Sequence, residues 1–534
     1  MSETMIPIPF PEMLNKLLTE YKEYKTFYGV PVVSSDKLVP IGPAAGPHTQ
    51  LAGNIVAAYG AGATYFELKT VQILEGEALQ IKKPCIYVGH EVFNTEWSTE
   101  LTVEQARDEY IKAFLLIRVL SLEFSLTKVS DIHFIMSVGY DLAGIKSQKV
   151  DRFLEDMKNA KETEEWRQDC EYIRNHLELF SNVDRKAIDA MTENAVISDT
   201  VTLSTMHGCK GEEIESIATY LIKEKQLNTF IKMNPTLIGK ERVEELLKEK
   251  GYETLLLEED TFANDITLDM AKKIILSCQK TANQCGRIFG IKLTNTLPVK
   301  TKENELEAGT MYMSGPALYP IAIAVANELN KQIDAPLAIS YSGGADQLNI
   351  KELLETGIKP VTVSSLLLKA GGYKNITKLI KQSEGYKEKE EIDNEALECL
   401  AKEAANNLRY DKKPVKALQR QEGYSAVCAV CNNCVDVCPN RANVLVEVEG
   451  NKYVIHRDRL CNECGCCACK CIKGHSPYKE KFTIFEDQES FDISNNDGVL
   501  YLKEKKRYRQ NGFVGEIPEN VSAILEQAIK KGRI

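Results

Sequence analysis

Short, continuously apolar runs alternate with helical stretches through the first 380 residues of the chain. Eight runs stand out: LVPIGPAAG, ATYFELKTV, IHFIMSVGY, VTLSTMHG, TFIKMNP, IFGIKLTNT, LAISYSGG and PVTVSS. A strand buried on both faces reads as an unbroken apolar run rather than as an alternation. Eight strand–helix repeats therefore predict a (β/α)8 TIM barrel over residues 1–384. Each run ends in small or polar residues, and in such a barrel those ends share one mouth. Lys69, Thr70, Ser137, Thr205, His207, Lys232, Asn234, Asn295 and Thr296 would all face it. After the seventh and eighth runs stand Ser342-Gly343-Gly344 and Ser364-Ser365, where backbone N–H groups of this fold bind phosphate. Glycine there lets the backbone approach closely.

The pattern changes after residue 384. Residues 385–421 are rich in Lys, Glu and Asn and predict a charged helical linker. Of the 16 cysteines, ten crowd between Cys428 and Cys471. Two runs share one spacing: Cys428-x2-Cys431-x2-Cys434-x3-Cys438 and Cys461-x2-Cys464-x2-Cys467-x3-Cys471. Three thiolates at this step wrap three corners of one cubane, and the fourth crosses to the other. Cys428, Cys431, Cys434 and Cys471 are thus expected to hold one [4Fe-4S] cluster, and Cys461, Cys464, Cys467 and Cys438 the second. Residues 422–480 then form a bacterial 2[4Fe-4S] ferredoxin-like domain. Zinc is the competing reading, but zinc knuckles seldom add a third cysteine at the same step. Ile472 stands where a proline often follows, and Cys466 and Cys469 are extra thiols either of which could replace a neighbour. The tail, 481–534, holds short aromatic-bearing strands and a final helix with no assignable chemistry.

Composition narrows the class. The formal net charge of -11 disfavours a broad nucleic-acid footprint. No apolar run of about 18 residues is present, so no membrane helix is expected. The start, MSETMIPIPFPEML, lacks a basic segment before an apolar one, so no secretory leader is expected and a cytoplasmic location follows. Crowded cysteines at metal-ligand spacing fit a reducing compartment rather than a disulfide framework.

These residues carry a resemblance. Gly42-Pro43-Ala44-Ala45-Gly46, Glu67-Leu68-Lys69-Thr70, Lys232-Met233-Asn234-Pro235, Ser314-Gly315-Pro316, Gly343-Gly344 and Ser364-Ser365 resemble the flavin-contacting loops of dihydroorotate and dihydropyrimidine dehydrogenases. The ferredoxin module resembles the C-terminal end of the latter. The stretches GPAAGPHTQLA, ELKTVQIL, FNTEWSTE, LSTMHGC, MYMSG and VCPNRANV are similar to the family of selenate reductase iron–sulfur subunits. The resemblance implies an FMN-type barrel with Ala44, Ala45, Gly46, Lys69, Thr70, Lys232, Ser314, Gly315, Gly343, Gly344, Ser364 and Ser365 at the cofactor. It also implies a substrate edge read by Asn94, Glu96, Asn295 and Thr296, whose amides offer donor and acceptor together. Where relatives place an acid/base Cys or Ser after Leu-Ser, this chain has Thr205, with His207 and Cys209 close behind; all three stay open as the proton donor.

The function implied is reduction of an oxidised N-heterocycle, an oxopurine such as urate or a pyrimidine. FMN would carry the hydride and two [4Fe-4S] clusters would feed it electrons. The alternative is an electron-transfer flavin/iron–sulfur subunit serving a separate catalytic protein, such as a molybdenum-dependent selenate or purine reductase. Longer members of that family carry an FAD and nicotinamide domain between barrel and ferredoxin. No GxGxxG fingerprint occurs in this chain, so a separate donor is expected, either a ferredoxin or an FAD/NAD(P)H-binding protein. A homodimer is compatible with this reading.

Overall fold

The structure is a computed structural model that describes residues 5–33, 38–95, 98–127, 129–205, 209–301, 305–414, 428–502 and 506–530. Eight strands build the first sheet: β1 (Ile41–Pro43), β2 (Tyr65–Glu67), β3 (His133–Gly139), β4 (Thr200–Ser204), β5 (Asn228–Met233), β6 (Phe289–Leu293), β7 (Ala338–Tyr341) and β8 (Val361–Val363). Their order is β1-β8-β7-β6-β5-β4-β3-β2, with each successive pair parallel. Only β1 and β2 lack a ladder. There the Thr64 N–H donates to the Ile41 carbonyl at 3.1 Å, so the ring is a nearly closed eight-stranded parallel barrel.

Strand register brings particular side chains level. Lys292 of β6 pairs with Lys232 of β5 on one side and Ser340 of β7 on the other. Loops leaving the C-terminal strand ends form a second, antiparallel sheet. Its order is Leu255–Leu256, Leu297–Thr301, Met311–Ser314, Val92–Asn94, Ile86–Val88. The apolar side of this cap is filled by Phe93, Leu297, Val299, Met311, Met313 and Ile321.

Within the expected linker, the described residues 385–414 are more than a charged spacer. The helix Asn394–Asn406 begins at Asp393, whose side chain accepts from the Ala396 N–H. Its Leu397, Leu400 and Ala404, with Tyr410 beyond, are buried in the barrel's own core. Apolar residues at this helical spacing face the shell, while the charged residues face out.

The cysteine-rich region adds six strands: β9 (Asn443–Val448), β10 (Asn451–Arg457), β11 (Thr483–Phe485), β12 (Gly498–Tyr501), β13 (Lys506–Gln510) and β14 (Phe513–Gly515), in sequence order. The sheet continues through residue 480, where a boundary was expected, because β11 pairs directly with β10. The helix Glu519–Lys530 covers it through Leu525 and Ala528. Among the described residues no helix is long and apolar enough to cross a membrane.

Barrel and thiol loops meet along a tight seam. The Cys464 carbonyl accepts from the backbone N–H groups of Cys85 (3.2 Å) and Ile86 (2.8 Å). The Tyr373 hydroxyl donates to the Pro439 carbonyl at 2.7 Å, and Asn462 donates to Glu100 at 2.6 Å. Cys438, Ala442 and Leu460 belong to the same buried apolar cluster as the barrel interior.

Candidate functional site

The polar strand ends gather around a small cavity of about 90 Å³. Ala44, Ala45, Lys232, Thr296, Ser314, Gly343, Gly344, Ser364 and Ser365 line it. That volume suits a phosphate-sized group; a tricyclic ring would need the open mouth beyond it or a rearrangement. A larger cleft of about 740 Å³ opens elsewhere, between Thr236, Phe262, Asp265 and the helix at Ala401. It shares no residue with the cavity, and the strand-end chemistry favours the smaller site.

Asn295 organises one side of the mouth. Its amide donates to Asn234 Oδ1 at 2.6 Å and to the Thr205 carbonyl at 3.4 Å, and it accepts from the Ser204 hydroxyl at 3.4 Å. Thr205 is buried beside it. Cys209 lies apart, its Sγ 3.8 Å from Glu213 Oε2. Burial, then the charge of Glu213, pushes the Cys209 thiol up to about 12. Asn94 donates within the cap, to the Tyr312 carbonyl at 3.2 Å, and not to the Asn295 group. On the opposite side, Thr70 and Ser137 share a hydrogen bond of 2.8 Å, and Tyr110 fixes the Lys69 carbonyl at 2.8 Å. Glu96 and His207 lie outside the described residues.

Two buried groups beneath the mouth were not singled out from the sequence. Lys292 and Glu67, 1% and 0% exposed, form an ion pair of 3.1 Å across the barrel interior. Glu67 Oε2 also accepts from the Ala45 N–H at 3.1 Å, fixing the first loop. Burial alone would raise the Glu67 pKa; Lys292 and then Lys232 outweigh it and hold the carboxyl below its ordinary range. A lysine inside IFGIKLTNT, a run read as buried on both faces, was the available signal. Glu67 Oε1 and Thr294 Oγ1 are buried without a hydrogen-bond partner among the described residues.

The thiol loops repeat one backbone device. In each, the residues two and four places after the first cysteine have positive φ: Val430 (46°) and Asn432 (64°), then Glu463 (49°) and Gly465 (93°). Alternation of this kind turns successive N–H groups inward and makes the concavities found at phosphate and Fe–S sites. A β-branched valine adopts such a φ only when its surroundings impose it. Cys434 lies in the field of Cys431, Cys428 and Cys471, while Cys461 lies in that of Cys438, Cys467 and Cys464. Burial, followed by the neighbouring sulfurs, pushes the Cys434 thiol up to about 12, against the pull of Lys481. So crowded a set takes up thiolate form only with compensating positive charge, which a metal centre provides. Among the described residues, however, no group of three or more His, Cys, Asp or Glu side chains is already arranged to hold a metal ion. Cys466 and Cys469 face the barrel: Cys466 is fully buried with Cys85, and Cys469 accepts from the Val88 N–H at 3.4 Å.

A nearly closed parallel barrel with polar strand ends, joined to paired thiol loops, defines a TIM-barrel protein with a cysteine-rich C-terminal region. The family described as oxidoreductase YgfK, N-terminal TIM-barrel domain, matches residues 18–412, and the chain belongs to it. "Putative oxidoreductase YgfK" of Escherichia coli (strain K12) is 38% identical over 449 residues, 79% of this chain; the protein of that name in Escherichia coli O157:H7 gives the same figures. The match covers only 43% of those relatives' own length. A crystal structure of DHODH in complex with ferulenol, from Eimeria tenella, is a looser likeness: 14% identity, TM-score 0.43, covering 71% of this chain and 94% of that one.

Proposed function

We propose that the chain is an FMN- and iron–sulfur-dependent oxidoreductase that reduces an oxidised N-heterocycle, an oxopurine such as urate or a pyrimidine. What supports this reading is that the Ser/Gly loops and Lys232 line one cavity at the strand ends, that the Asn295–Asn234–Thr205 group stands at the ends of neighbouring strands, and that the cysteine-bearing loops pack against the same barrel. FMN when bound supplies hydride chemistry, and paired [4Fe-4S] clusters supply single electrons.

The chain's own residues would do the rest. Backbone N–H groups of the loops at Gly343-Gly344 and Ser364-Ser365 would hold a phosphate, with Lys232 adding positive charge. The Asn295 amide oxygen, oriented by Asn234, would accept from a ring N–H, its own two N–H donors being engaged by Asn234 and the Thr205 carbonyl. Thr205, whose carbonyl accepts from Asn295, would offer its hydroxyl as proton donor to a ring carbon; Cys209 would have to leave Glu213 to compete. The cap sheet would exclude water over the mouth.

A second reading is a flavin/iron–sulfur relay to another catalytic protein. It is favoured by the small enclosed volume and by the use of Asn94 within the cap. Anaerobically purified protein separates the two. The enzyme reading expects a flavin spectrum, about eight irons per chain, and reoxidation of the reduced protein by a purine or pyrimidine. Absence of flavin, or zinc at the thiols, overturns it. Flavin with no response to any heterocycle leaves the relay.

A further inference from the structure

We infer that Lys292 is a positioning residue: it holds the Glu67 carboxylate away from Lys232, so that Lys232 stays available to an anionic ligand at the barrel mouth. This deepens the flavin reading above and rests on it.

Register makes the problem plain. Lys232 and Lys292 are direct neighbours on adjacent strands. Like charges so placed repel unless an anion lies between them, and the anion within the barrel is Glu67, fully buried. One carboxylate therefore serves two lysines, and the geometry decides which it takes. Lys292 Nζ donates to Glu67 Oε2 at 3.1 Å, to Thr362 Oγ1 at 2.8 Å and to Ser340 Oγ at 3.2 Å. An ammonium has three N–H donors, so all of Lys292's are used inside the barrel and none is left for a ligand. Lys232 differs in both respects. It lines the cavity beside Ser342 and Gly343, and it enters no ion pair among the described residues. Glu67 nevertheless feels the charge of Lys232, and its Oε1 is buried without a hydrogen-bond partner. If Lys292 lost its charge, Lys232 would be the other lysine whose charge acts on Glu67, and that unpartnered oxygen could turn to it. Closing that gap would cancel the charge facing the cavity. It would also pull Glu67 off the Ala45 N–H, loosening the first loop.

The test is FMN binding to the full-length protein stripped of flavin, read by quenching of flavin fluorescence. Lys292→Met should weaken binding by roughly tenfold or more, the scale of one lost charge-assisted contact. The double variant Lys292→Met/Glu67→Gln, with neither charge, should return to near the wild-type value. Recovery in the double variant is what a merely structural role for Lys292 would not give. Undiminished binding in Lys292→Met, or no recovery in the double variant, overturns the inference. If Lys292→Met does not fold, Lys292→Gln takes its place and is compared with the same double variant. If the wild-type protein takes up no FMN, the flavin reading fails separately. The same variants are then compared for stabilisation against heat by inorganic phosphate: wild type and double variant should respond and Lys292→Met should not, and an equal response, or none, in all three overturns the inference.

Discussion

Asn295 shows how much one side chain can carry. Its amide spans Asn234, Thr205 and Ser204, so Asn295→Ala strands the buried Asn234 and Thr205 acceptors. That change should cost about 1–3 kcal/mol of stability, visible as a lowered melting temperature, and should abolish any heterocycle response. A variant as stable as the wild type would show that Asn295 does not organise this group. Asn94→Ala, by contrast, should lower heterocycle turnover while leaving flavin content unchanged; loss of flavin would mean that the cap hairpin holds the cofactor. The polar strand ends were legible because each interrupts an apolar run at the same relative place. Glu67 and Lys292 were not, because their meaning lies in a contact across the barrel between residues 225 positions apart, which local pattern does not encode.

Among elements, the thiol loops were the most legible part, since the repeated three-residue step leaves few other chemistries. Their seat on the barrel was invisible, because it depends on the hairpin at Ile86–Val88, far away in sequence. Two glycines permit that seat, one from each side. Gly465 has φ +93°, and a Cβ there would meet Pro84 Cβ at 2.6 Å; Gly372 has φ +49°, and a Cβ would meet the Asp436 carbonyl oxygen at 1.9 Å. Gly372→Ala faces fixed backbone and should destabilise the protein by about 2 kcal/mol or more through strain and steric conflict together. Gly465→Ala should act similarly and also raise the rate of iron loss, measured with a chelator. Unchanged melting in both would mean that the seam yields easily. The helix Asn394–Asn406 was read from its charge as a linker; its buried Leu397 and Leu400 show that the apolar stripe was the better guide.

At the scale of the molecule, two histidines set an acid limit. Burial pulls His456 down to about 4 and His48 down to about 3, so both stay neutral in the fold while the unfolded chain takes up protons near pH 6.5. Their folded pKa values lie below the unfolded ones. Stability is therefore full above pH 6.5 and is lost as the pH falls from there towards 4 and below. For His456 the loss is about 3 kcal/mol at most. Melting temperature should drop between pH 7 and pH 4, and a His456→Asn variant should flatten part of that slope; an unchanged slope would locate the acid sensitivity elsewhere.

The apolar interior running from the barrel into Cys438, Ala442 and Leu460 has a further consequence. A protein with separable parts could lose its inorganic groups to air and keep an intact catalytic half. Here the damage would spread: loosening the sulfur loops would uncover barrel side chains, and proteases should then cut both regions of the aerated protein at similar rates. Were clusters bound there as proposed, oxygen injury would therefore be all-or-none across both regions.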